Sequence, residues 1–93
     1  MSFSNYNLSS EQLEELLLRA ENEARKYILS QIPQKEINNL EILIEFDTSN
    51  ELKLNCIIDL QLVKQSKLDP KKFTDVAINK IFEIIENELE IIA

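Results

Sequence analysis

Residues 40–62 read LEILIEFDTSNELKLNCIIDLQL, and their rhythm sets the fold. Leu40, Ile42, Ile44 and Phe46 alternate with Glu41, Leu43, Glu45 and Asp47. After a short polar stretch the alternation resumes through Leu52, Leu54, Cys56, Ile58, Leu60 and Leu62. A period of two is the signature of a strand with one buried face, so the stretch reads as an antiparallel hairpin. The even-numbered side chains share one core in both strands, Ile44 and Ile58 among them. The odd-numbered face, Glu41, Glu45, Lys53, Asn55, Asp59 and Gln61, is left to solvent. A three-residue loop, Thr48-Ser49-Asn50, keeps that parity, pairing Phe46 with Leu52, Ile44 with Leu54 and Ile42 with Cys56. It sets Glu45 opposite Lys53 and asks Asn50 for a left-handed conformation, which Asn tolerates better than most residues.

On either side of the hairpin the period becomes helical. Ser9 and Gln12 are spaced as a capping box, with Leu8 and Leu13 as the apolar staple. Leu13, Leu16, Leu17, Ala20, Ala24, Tyr27 and Ile28 then form one stripe. Glu15–Arg19 and Glu21–Arg25 are i,i+4 pairs on the solvent side. Pro33 ends this helix by forcing Ile32 towards an extended conformation. A second helix begins at Asp69-Pro70, cap followed by first helical position, with Leu68 set to staple onto Phe73. It runs to about Ile91. Phe73, Ala77, Ile81, Ile84 and Ile91 make one apolar edge, and Ile78, Phe82, Ile85, Leu89 and Ile92 make another.

A lone two-stranded hairpin is marginal in water. The expected architecture is therefore an α+β, two-layer α-β-β-α sandwich: one long hairpin covered on one face by two helices. Residues 1–7 read as a flexible tail and residues 8–93 as a single domain, a size that buries one modest core.

The chemistry that is missing narrows the function. The 93 residues contain no His, no Gly and no Trp. Imidazole-based nucleophile activation, proton transfer and metal ligation are therefore absent, as are glycine-rich phosphate loops. One cysteine makes no internal disulfide, which fits a reducing compartment. Cys56 lies among inward-facing positions and has no base to activate it, so it reads as a small core residue. The chain is expected not to be an enzyme.

Seventeen carboxylates against ten Lys and Arg give a net charge of −7. Such a field repels nucleic acid and anionic membrane surfaces. Lys64, Lys67, Lys71 and Lys72 form a local basic stretch, but it lacks the neighbouring aromatics of a nucleic-acid site. No leader or membrane span is recognisable, so a cytoplasmic location is expected.

Two carboxylate groups are candidate sites for Ca²⁺, a hard cation that prefers oxygen ligands. At the hairpin tip, Asp47, Ser49 and Glu51 gather, with Asp47 facing Glu51 in the three-residue-loop register. On the second helix, Glu83, Glu86 and Glu90 share a face. Neither follows an EF-hand. The competing expectation is an interaction surface for a homodimer or another protein, built from Ile78, Phe82, Ile85 and Leu89. Leu18, Leu29 and Ile32 fall off the first helix's stripe in the same way. The leading expectation is thus a non-enzymatic interaction module with no required cofactor, and the alternative is a weak Ca²⁺-binding protein.

The whole pattern also resembles a known family. The opening LSSEQLEELLLRAENEARKYI, the helix end SQIP followed by KEI, the alternating hairpin and the DP start of the last helix are similar to those of a small archaeal family of uncharacterised α+β proteins encoded near the prefoldin beta subunit. The resemblance implies an archaeal cytoplasmic origin and a link to protein folding or translation. It carries no site residues.

Overall fold

The computed structural model describes residues 9–47 and 53–92. The elements run in the order α1 (Ser10–Gln31), a single 3₁₀ turn (Gln34–Glu36), β1 (Ile37–Asp47), β2 (Lys53–Leu62) and α2 (Pro70–Ile92). The two strands form one antiparallel sheet. Helix α1 lies over β1, α2 lies over β2, and the helices pack side by side. This is the α+β sandwich expected from the two periods.

Helix boundaries follow from local chemistry. The Gln12 amide donates to Ser9 Oγ at 3.2 Å, while the Ser9 amide donates to Gln12 Oε1 at 2.9 Å, completing the capping box. Each bond satisfies an amide that the first turn leaves without an intrahelical partner. At the other end Ile32, held extended before Pro33 (φ −123°, ψ 125°), stops α1. The Lys71 amide donates to Asp69 Oδ1 at 3.1 Å, so Asp69 caps α2.

The ladder pairs Phe46 with Leu54, Ile44 with Cys56, Ile42 with Ile58 and Leu40 with Leu60. This register lies two residues from the one the three-residue loop implies, and it corrects that expectation. Both registers keep even positions on the core face, so parity cannot choose between them. Cross-strand charge cannot either: the observed register sets Asp47 opposite Lys53 and relieves its opposition to Glu51, but it gives up the Glu45–Lys53 pair and opposes Glu41 to Asp59. Glu45 consequently faces Asn55 instead of Lys53. Residues 48–52 connect the strands, and Asn50, with its expected left-handed conformation, lies outside the described residues. A register irregularity between Ile37 and Asn39 lets odd-numbered Ile37 pair with Leu62 and join the core face.

The core is centred between the helices. Ala20, Ala24 and Ile28 of α1 and Ala77, Ile81 and Ile85 of α2 are completely buried. Small alanines on both helices allow a close approach. Two contacts fix the pairing: Arg19 to Glu88 at 2.6 Å, and Lys80 Nζ over the Tyr27 ring at 5.3 Å. Eight residues up α1 match eight down α2 (27 − 19 and 88 − 80), so the helices run antiparallel over about 12 Å. Arg19 thus reaches across to α2, where the sequence suggested a pair with Glu15 along α1. Glu21 and Arg25 do pair within α1, at 2.9 Å. From the sheet, Leu54 and Leu60 are buried, while Ile42, Ile44, Phe46, Cys56 and Ile58 pack half-buried against the cluster.

Candidate functional site

The open face of the hairpin carries seven exposed side chains: Glu41, Leu43 and Glu45 of β1, and Asn55, Ile57, Asp59 and Gln61 of β2. Alternation sends them away from the helices. Leu43 stands directly opposite Ile57. The two residues are 53% and 62% exposed, although both are large aliphatics. One rung away Glu41 stands opposite Asp59, and on the other side Glu45 stands opposite Asn55. Gln61 Nε2 donates to Asp59 Oδ2 at 3.4 Å, a weak tether for that carboxylate. The face is therefore an aliphatic pair framed by three carboxylates, with no cation among these seven residues.

The register creates this pair. With the three-residue loop, Leu43 would face Asn55 and Ile57 would face Glu41, so the two aliphatics would be separated. The expected solvent face omitted both, although parity alone places them on it; the register adds that they are neighbours. The signal was present as two apolar residues at odd positions, one in each strand.

The expected helical interface is dispersed. Ile85 is completely buried, which removes it from any exposed edge, and Phe82 packs half-buried against the core. Ile78 is half-buried, and the Leu89 side chain lies outside the described residues. The cause is the side-by-side packing of α1 and α2, which widens the buried arc of α2. Ile32 is likewise drawn into the core, whereas Leu18 and Leu29 stay exposed on the outer side of α1.

Among the described residues, no group of three or more Cys, Asp or Glu comes together in a way that could hold a metal ion. At the tip, Ser49, Glu51 and the Asp47 side chain lie outside the described residues, and the Asp47 backbone pairs with Lys53 instead of Glu51. On α2, Glu83 is exposed, Glu86 is half-buried, and the Glu90 side chain lies outside the described residues. Cys56 is half-buried, and burial pushes its thiol above the ordinary value. A thiol held protonated in this way is a poor nucleophile. Lys64, Lys67, Lys71 and Lys72 are all exposed around the β2–α2 connection, off the open face. A shallow depression of about 140 Å³, bounded by Gln12, Glu15, Leu16, Arg19 and Glu88, sits over the interhelical ion pair. No helix among the described residues is long and apolar enough to cross a membrane.

Comparison with known proteins places the chain among archaeal relatives. It is similar to a crystal structure from Thermococcus onnurineus NA1, with a TM-score of 0.83 and 24% identity over 97% of this chain and 85% of that one. It is also similar to the solution structure of a hypothetical protein from Methanothermobacter thermautotrophicus, with a TM-score of 0.78 and 26% identity over 90% of this chain and 91% of that one. No curated protein matches it. A family model described as a protein of unknown function matches residues 6–88, nearly the whole capped helix–hairpin–helix unit. The chain therefore belongs to the DUF3194 family of proteins of unknown function.

Proposed function

We propose that this chain is a non-enzymatic protein-interaction module whose docking surface is the open face of its hairpin. The observation that carries the reading is the cross-strand pair Leu43–Ile57, two aliphatic side chains that remain largely in water. A polar β-branched pair such as Thr–Thr would support the ladder equally well without exposing aliphatic surface. Because each is already about half covered, burying what remains exposed in a partner contributes roughly 1–2 kcal/mol per side chain. The absence of His from the sequence and the protonated state of Cys56 favour binding over catalysis.

The partner is another protein or a second copy, met in the cytoplasm. The resemblance to proteins encoded beside a prefoldin subunit points that interaction towards protein folding or translation. The Ca²⁺ alternative draws no support from the described residues.

The test is a capture experiment from a native lysate with the intact chain and with a Leu43→Ser, Ile57→Thr variant, alongside light scattering of both. A prey, or a dimer, held by the intact chain and lost with the variant supports the reading. Identical prey and identical mass for the two proteins would sink it.

A further inference from the structure

The open face states more than that something docks; it states the charge of what docks. Successive rungs that share a face lie about 6.5–7 Å apart along a strand. The Leu43–Ile57 pair thus has carboxylates within one rung on both sides: Glu41 and Asp59 together on one, Glu45 on the other. Glu41 and Asp59 are opposed across the ladder, an arrangement that destabilises the free sheet. Neither makes an ion pair, since the bridges of the described residues are Arg19–Glu88, Arg25–Glu21 and Lys26–Glu23, all on the helices. The exposed cations Lys64, Lys67, Lys71 and Lys72 are gathered at the β2–α2 connection, and Lys53, at an odd position of β2, is the register partner of Asp47 beyond the Glu45–Asn55 rung. A second copy stacked face to face would still bring three carboxylates against three around the Leu43–Ile57 pairs.

We infer that the open face receives a basic, apolar-centred segment of a partner protein, one that sets aliphatic or aromatic side chains on Leu43 and Ile57 and Lys or Arg on Glu41, Asp59 and Glu45. This deepens the interaction reading above and rests on it. Charge complementarity supplies the selection: the acidic frame attracts a basic segment and rejects an acidic one of equal apolar content. The net charge of −7 extends the same preference beyond contact range, raising the encounter rate at low salt. The cationic flanks relieve the Glu41–Asp59 opposition on binding, so the free sheet's unfavourable contact adds to the preference.

The experiment uses the whole chain, ¹⁵N-labelled, titrated with three probe peptides of equal length. One alternates Lys and Leu, one alternates Glu and Leu, and one alternates Lys and Ser. The expected result is amide shifts confined to residues 41–45 and 55–61 with the Lys/Leu peptide alone. Its affinity should exceed that of either other peptide by on the order of tenfold and should fall as salt shortens the screening length. Leu43→Ser with Ile57→Thr should abolish those shifts. Glu41→Gln with Asp59→Asn should weaken binding about threefold to tenfold with the circular dichroism unchanged.

Equal binding of the Lys/Leu and Glu/Leu peptides, lost on changing Leu43 and Ile57, overturns the charge selection and leaves the interaction module standing. Equal binding of Lys/Leu and Lys/Ser reduces the face to charge alone and overturns the apolar centre. Shifts elsewhere, or no shifts with any peptide, overturn the assignment of this face altogether. Face shifts that appear on concentrating the chain by itself assign the surface to a second copy and overturn the basic partner.

Discussion

Two faces of one hairpin share their backbone, their hydrogen bonds and their twist, yet they have separate roles. The inner face, Leu40 to Phe46 and Leu54 to Leu62 at even positions, is apolar and covered by two helices. The outer face alternates with it and carries three carboxylates and two amides beside Leu43 and Ile57. An aliphatic residue on the inner face is explained by the core it joins. One on the outer face has no such explanation among the described residues, and that asymmetry makes the Leu43–Ile57 pair informative.

The comparison breaks most easily at Leu60. Leu60→Ala removes a buried inner side chain and should cost about 2–4 kcal/mol in urea unfolding. That is a large fraction of the roughly 5–10 kcal/mol available to a domain of this size. Its neighbour Ile58 is only half-buried, so Ile58→Ala should cost less, on the order of 1–2 kcal/mol. If Ile58 proved the more costly of the two, the core would be centred on the sheet and not between the helices.

On the outer face the sign reverses. Asp59→Lys replaces a like-charge opposition to Glu41 with an attractive one and should stabilise by about 0.2–1 kcal/mol at low salt. High salt should erase that gain. Ile57→Thr should change stability by less than about 0.5 kcal/mol, since Thr keeps the β-branch and no core contact is lost. A loss comparable with that of Leu60→Ala would make Ile57 a structural residue and remove the motive for a docking surface.

The smallest effect concerns Cys56, on the inner face. Burial raises its pKa in the folded state, so the unfolded thiol ionises first as pH rises. The contribution of this group is therefore full below the ordinary thiol value, ~8.5, and is lost progressively above it. Urea midpoints measured between pH 7 and 10 should fall more steeply for the intact chain than for Cys56→Ala. Parallel curves would place the thiol in solvent.

How much of this was legible in the sequence depended on the range of each interaction. Caps and stops were fully legible, because Ser9 with Gln12, Ile32 before Pro33, and Asp69 before Pro70 act within four residues. Which residues face the core was legible from the period of two. The register was not, because a slip of two residues preserves parity and trades one attractive and one like-charge pair for another: Glu45–Lys53 and Asp47–Glu51 give way to Asp47–Lys53 and Glu41–Asp59. The juxtaposition of Leu43 with Ile57 depended on that register and was missed with it. The burial of Ile85 depended on helix-to-helix packing, which no pattern local to α2 reveals. The tip carboxylates, Asp47 and Glu51, mark the same limit: the pair that suggested a cation exists only in the register the chain does not adopt.

The antiparallel pairing of α1 with α2 also governs when the molecule can exist at all. Arg19 meets Glu88 and Tyr27 meets Lys80, so the first helix finds its partner in the last. Between them lies the entire hairpin, and closing so long a stretch of chain carries an entropy cost that must be met before these contacts form. During synthesis α1 and the hairpin emerge first; α1 can lie over β1, but the sides of Ile28 and Ile32 towards α2 and the inner face of β2 stay uncovered. Only when Ile81 and Ile85 arrive does that surface leave water. The last helix is therefore what closes the domain, and a chain that lacks it keeps part of its core surface in water.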